Sequence, residues 1–229
     1  MCFIALLAAL VITLVTSCGG GSRQDEPKAT LPEGTQVLAD SAAAMRTVAS
    51  TRFAINVQGT APDASLRYVD GWLSRKGLAK GTSKVIQDGQ ILDLDFVIIG
   101  NDLYLRAPGS AGFQKLPLSV AAAGVVYDPS VILHPLRGIV AVLTSGQEAI
   151  TEARERHDRV DSYRLRVNFP RQSLSALIPG LPREQNITGK VWIAVENSQI
   201  VEAQFPVTEG TVTMQFSDYD TPVEVTAPA

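Results

Sequence analysis

Few side chains in this sequence have the type and spacing that chemistry requires. The two histidines, His134 and His157, are far apart, and neither belongs to an HExxH motif or to a Cys/His pair with ligand spacing. His134, just before Pro135, reads as a helix-end residue and His157 as a turn residue, so no metal site and no cofactor are expected. Asp93 and Asp95 have the spacing of a proton-exchanging carboxylate pair, but their neighbours place both on the wet side of a strand, where such a pair is a solvated face. There is no P-loop, no GxGxxG and no GxSxG; Gly109-Ser110-Ala111-Gly112 comes nearest to a nucleophile elbow and lies in a hairpin turn instead. Asn186-Ile187-Thr188 matches a glycosylation sequon and is read as coincidence. No catalytic residue emerges, and the protein is not expected to be an enzyme.

Cys18 is the side chain with the clearest chemical prospect. An apolar run from Phe3 to Thr16 has the length of a secretory h-region and is short for a spanning helix. It ends in Val15-Thr16-Ser17-Cys18, an aliphatic residue, two small ones and cysteine, which resembles the bacterial lipobox. The small side chains let the extended chain enter a peptidase site, and the cysteine thiol takes a diacylglycerol. No Lys or Arg precedes Phe3, so the positive n-region is missing, and the natural start is expected upstream. Removing residues 1–17 also removes Cys2 and leaves one cysteine, too few for a disulfide within the chain. Two or more acyl chains on Cys18 would give a stable anchor. Residues 18–33, rich in Gly, Ser, Pro and charge, read as lipidated cysteine plus flexible tether. Residues 34–229 are then expected to form one domain.

Charge is nearly balanced, 20 basic against 23 acidic residues, with no basic cluster of the kind that marks nucleic-acid binding. The least expected segment is Leu116–Leu143, in which Asp128 and Arg137 are the only formal charges. Pro117, Gly124, Pro129, Pro135 and Gly138 break it too often for one membrane span. It reads as short helical pieces that need an apolar partner. Asp128-Pro129 has the form of an N-cap with proline at the first helical position, and Pro135 divides that helix from a second one ending near Gly146.

The partner comes from the strands. A helix is expected from Thr35 to Ser50, with Val37, Leu38, Ala42, Met45 and Val48 in its stripe. Alternation then predicts strands over Arg52–Gly59, Leu66–Ser74, Ile91–Ile99, Leu103–Arg106, Phe113–Leu116, Ala149–Arg156 and Tyr163–Phe169. After a short helix, Gln172–Ile178, further strands are expected over Gly189–Glu196, Gln199–Phe205 and Thr211–Ser217, with Asp218–Val225 as a final edge. In Ile91–Ile99, Leu92, Leu94, Phe96 and Ile98 share the face opposite Asp93 and Asp95. Tight turns between successive strands imply an antiparallel sheet, apolar on one face and covered there by short helices, an α+β architecture. Pattern alone leaves open whether the two layers meet in a solid core or enclose a cavity.

Four segments, FVIIGNDLYL (Phe96–Leu105), VYDPSVILHPLRGIVAVL (Val126–Leu143), VWIAVENSQIVEAQF (Val191–Phe205) and VTMQFSDYDTPVEVT (Val212–Thr226), resemble the LppX/LprA/LprF/LprG family of mycobacterial envelope lipoproteins. The run Tyr127-Asp128-Pro129-Ser130 followed by Ile132-Leu133 is the most specific of them. The resemblance implies a strongly bent antiparallel half-barrel, similar to the LolA/LolB carriers, with helices packed on its concave face around an apolar cavity. It implies a cell-envelope protein, lipid-anchored to the outer face of the cytoplasmic membrane, that binds acylated lipids or glycolipids and moves them toward the outer envelope. Phe53, Ile55, Val57, Leu92, Leu94, Phe96, Ile98, Leu103 and Leu105 are the expected cavity wall. Val125, Val126, Tyr127, Ile132, Leu133, Ile139, Val140 and Leu143 are the expected cover. A monomer is expected, with a membrane lipid exporter as a candidate partner. The competing readings are a non-transporting envelope module with a solid core and, more distantly, a lipid-processing enzyme.

Overall fold

A computed structural model of the protein describes residues 30–60, 65–87, 89–119, 128–175, 177, 186–207 and 209–228. The expected signal segment, Cys18 and the tether up to residue 29 lie outside them, as do Val125, Val126 and Tyr127. The elements are α1 (Gly34–Thr47), β1 (Ser50–Thr60), β2 (Leu66–Ser74), β3 (Leu78–Gln87), β4 (Gln90–Ile99), β5 (Asp102–Arg106) and β6 (Gln114–Pro117). A 3₁₀ turn (Pro129–Val131) and α2 (Ile139–Ser145) follow. The chain continues through β7 (Gln147–His157), β8 (Val160–Phe169), α3 (Arg171–Leu174), β9 (Ile187–Ala194), β10 (Ile200–Val207) and β11 (Glu209–Ser217).

All eleven strands form a single antiparallel sheet in the order β6-β5-β4-β3-β2-β1-β11-β10-β9-β8-β7. Each half is a meander, and the halves are joined where β1 pairs with β11. The sheet is curved and unclosed. Its register can be followed as one row of inner-face residues across nine strands: Thr151, Leu165, Val191, Ala203, Met214, Ile55, Val69, Ser83 and Leu94. A neighbouring row runs Phe216, Phe53, Gly71, Gly81, Phe96 and Leu105. Cross-strand neighbours on one face are the contacts that stabilise a sheet, so these rows are the floor of the core.

The helix α1 forms because Val37, Leu38, Ala42 and Met45 lie along one buried stripe. The Gln36 amide donates to Glu33 Oε2 at 2.8 Å at its start. At its end, Arg75 from the β2–β3 turn donates from Nε to Val48 O at 2.9 Å and from Nη2 to Met45 O at 3.1 Å. These bonds satisfy carbonyls that the last turn leaves free. The helix packs against α2, β7 and β9, while the 3₁₀ turn lies against β2 and β3.

Three sequence expectations need correction. The strand β3 was not anticipated, because Lys80, Gly81, Thr82, Ser83 and Lys84 show no apolar alternation; pairing on both sides, with β2 and β4, holds it in the sheet. The helix expected from Pro129 is a single 3₁₀ turn, although its start behaves as read: Asp128 caps it, accepting from the Ser130 amide at 2.9 Å. Asp218–Val225 is not a strand. Asp218 and Asp220 adopt positive φ, and the segment is tied down through side chains. Asp220 accepts from the Ala49 amide at 2.7 Å, Lys80 Nζ donates to Glu224 O at 3.0 Å, and the Tyr219 hydroxyl donates to Ile200 O.

Candidate functional site: the inner face of the sheet

The inner wall is built by strand alternation. Phe53, Ile55 and Val57 on β1, Phe96 and Ile98 on β4 and Leu103 on β5 are buried in one continuous cluster. Leu92 and Leu94 on β4 and Leu105 on β5 face the same way and pack against that cluster, yet are only partly buried. Burial changes along these strands, from the covered pair Ile98 and Leu103 at one end to the partly uncovered Leu105, Leu94 and Leu92 toward the other.

From the cover, Ile132, Leu133, Ile139, Val140 and Leu143 are all buried in the same cluster. Their placement depends on Gly138. Its amide donates to His134 O at 2.8 Å, the Ile139 amide donates to Ile132 O at 2.9 Å, and a Cβ on Gly138 would lie 2.2 Å from Ile132 O. The 132–139 turn is therefore tightly closed, and glycine is required there by close backbone approach. His134 sits in this turn, where Nδ1 accepts from the Leu136 amide at 3.2 Å.

On β4 charge is kept off the inner side. Asp93 and Asp95 project outward and pair with Lys84 at 3.1 Å and Arg106 at 2.6 Å. The inner face also carries buried hydroxyls, Thr51 on β1, Thr151 on β7 and Ser83 on β3, the last on a strand that sequence reasoning missed. Ser83 stands in the inner row between Val69 and Leu94, 2% exposed, and its Oγ has no hydrogen-bond partner among the described residues. The signal that would have found it was the strand β3 itself. A surface of this composition offers dispersion and hydrophobic contact rather than bond-making chemistry, which is what holding a flexible apolar ligand requires.

An unclosed antiparallel sheet with an apolar inner face and a cover of short helices defines an α+β half-barrel. The chain belongs to the LppX_LprAFG lipoprotein family, whose model matches residues 33–225. It is 32% identical to the protein named lipoarabinomannan carrier protein LprG from Mycolicibacterium smegmatis, over 97% of this chain and 94% of that one. The protein of the same name from Mycolicibacterium hassiacum is 30% identical over 98% of this chain and 97% of its own length. Among solved structures, LprF from Mycobacterium bovis superposes with a TM-score of 0.77 at 21% identity, covering 87% of this chain and 98% of LprF. The Mycobacterium tuberculosis lipoprotein LppX gives 0.64 at 17% identity, with 84% and 97% covered. These two likenesses establish the fold.

Proposed function

We propose that the protein is a membrane-anchored lipoprotein that holds acylated lipids or glycolipids against the inner wall of the half-barrel and carries them across the periplasm toward the outer envelope. The observation that carries this reading is the apolar inner wall with Leu92, Leu94 and Leu105 only partly covered, in a chain akin to proteins named for carrying lipoarabinomannan. The physical demand is large. An acyl chain of about 15 methylenes at roughly 0.8 kcal/mol each costs about 10 kcal/mol or more to expose, so a carrier must enclose it. In this proposal Cys18 is the anchor, residues 19–33 give reach from the outer face of the cytoplasmic membrane, and the chain acts as a monomer that receives lipid from or passes it to a membrane exporter. No reaction is assigned to it.

The test is extraction of purified protein followed by mass spectrometry. Stoichiometric acylated lipid, or uptake of added glycolipid, is the expected result. Absence of both would overturn the carrier reading in favour of an interaction module with a solid core. The anchor is tested separately, since Cys18→Ser should move the protein from the membrane fraction to the soluble one while leaving lipid uptake intact.

A further inference from the structure

The outer face of the sheet holds a cluster that the carrier reading does not use. It is created by a β-bulge in β10. Ile200 pairs with Ile193 and Glu202 pairs with Trp192, so Val201 is the extra residue. The bulge lets Ile200, Ala203 and Phe205 all face the core while Glu202 is turned to the opposite side. Bulges commonly re-aim a side chain in this way. Glu202 then lies beside Trp192 of β9 and Gln215 of β11 in one outer-face row.

Glu202 is nevertheless 4% exposed, and no Lys or Arg is paired with it among the described residues. Its carboxylate accepts from Gln204 Nε2 at 2.7 Å and from Gln215 Nε2 at 3.0 Å, both neutral donors. A buried carboxylate without a counter-charge is costly, which leaves a demand for a cation. The basic group nearest it among the described residues is His157, the last residue of β7. The imidazole stacks on Trp192, with centroids 4.4 Å apart and planes at 18°. Its Nε2 lies 3.2 Å from Glu202 Oε2, yet is buried and makes no hydrogen bond, so it is close to the carboxylate but not aligned with it. Asp158, the next residue, completes the group. One donor atom from each of His157, Asp158 and Glu202 falls within 4.8 Å of the others.

We propose that His157, Asp158 and Glu202 form a binding site for a single divalent transition-metal cation of the zinc class on the outer face of the sheet. One imidazole and two carboxylates are a donor set that such ions accept, and two carboxylates balance the charge of a divalent ion. Binding would draw the three donors, now within 4.8 Å of one another, to the roughly 2.0–2.2 Å from the ion that zinc requires. The supporting shell is already in place. Gln215 Nε2 donates to Asp158 Oδ2 at 3.2 Å as well as to Glu202 and so orients both carboxylates, while the Trp192 stack fixes the imidazole plane. A cleft of about 300 Å³, lined by Arg52, Asp158, Val201 and Gln215 among others, opens beside Asp158. The ion would tie the β7–β8 hairpin to β10.

The experiment is titration of chelator-stripped, detergent-purified full-length protein with ZnCl₂ by calorimetry and with Co²⁺ by absorption spectroscopy. One ion per chain is expected, with a cobalt spectrum free of thiolate charge-transfer bands and a rise in the thermal midpoint that depends on zinc concentration. His157→Gln and Glu202→Gln should each abolish binding. Gln215→Leu should weaken it about 10- to 100-fold, as loss of a supporting contact does, and His134→Gln should leave it unchanged. His157→Gln changes a partly exposed side chain and keeps the fold by circular dichroism, so it remains informative if Glu202→Gln proves unstable. No saturable binding by the unmodified protein, a thiolate band, or undiminished binding in His157→Gln would overturn the proposal.

Discussion

Gly71 on β2 stands directly opposite Gly81 on β3, and neither position has room for a Cβ: one on Gly71 would lie 2.4 Å from Lys80 O, and one on Gly81 2.2 Å from Asp70 O. The pair sits in the inner row between Phe53 and Phe96, so two backbones approach closely where bulky rings flank them. Glycines at such points let a sheet coil toward one face. Gly81→Ala is expected to destabilise the protein by about 1–3 kcal/mol, the usual cost of overpacking, and Gly81→Val by more. Urea denaturation measures it. An unchanged midpoint for Gly81→Ala would mean that the close approach relaxes freely.

Leu94 is the wall residue best suited to probing the proposed ligand space, because it faces inward and is only partly buried. Leu94→Trp should leave the circular dichroism spectrum intact and lower the amount of co-purified or exchanged lipid several-fold. Full lipid loading in a folded variant would remove β4 from the lipid-contacting wall.

Ser83 is predicted to be a stability cost at its present position. A buried hydroxyl without a partner forfeits its hydration, so Ser83→Ala should be neutral or stabilising by about 1 kcal/mol. A clear loss of stability, read from the same denaturation curves, would reveal a partner for the hydroxyl.

Acid sensitivity should come in part from Glu155. Its carboxylate accepts from Trp192 Nε1 at 2.8 Å and from Arg164 Nη1 at 2.9 Å, and the indole hydrogen bond together with the Arg164 charge holds it below the usual carboxylate range. Asp161 is lowered likewise by Arg154. A carboxyl whose folded pKa lies below its unfolded value, about 4.3 for Glu, contributes stability that is present above that value and lost as pH falls through the folded one. The urea midpoint should therefore drop on acidification from about pH 5 toward pH 3. Glu155→Gln should flatten the drop, and an identical slope in that variant would assign the acid sensitivity elsewhere.

Much of the wall is legible in the chain because side-chain direction in a strand has period two. Phe53-Ala-Ile55-Asn-Val57 and Leu92-Asp-Leu94-Asp-Phe96 each declare an apolar and a polar side, and the structure places their apolar sides inward. The strand β3 was illegible for the complementary reason: Gly81 and Ser83 occupy the centre of its inward side, between Ala79 and Val85, and interrupt the apolar period there. Likewise, nothing local distinguishes Asp128-Pro129 before a full helix from the same pair before one 3₁₀ turn.

The antiparallel α+β class, the inward faces of the alternating strands and the capped start at Asp128 all follow from residue types and short spacings, because helical and strand periods and cap chemistry act within a few residues. Register, curvature and the meeting of distant groups do not. Whether Gly71 faces Gly81, whether Ser83 falls between Val69 and Leu94, and whether Glu202 turns outward to meet His157 depend on how whole strands slide against one another. That sliding is decided by the summed packing of eleven strands and by one extra residue in β10, so only the tertiary structure brings these residues together.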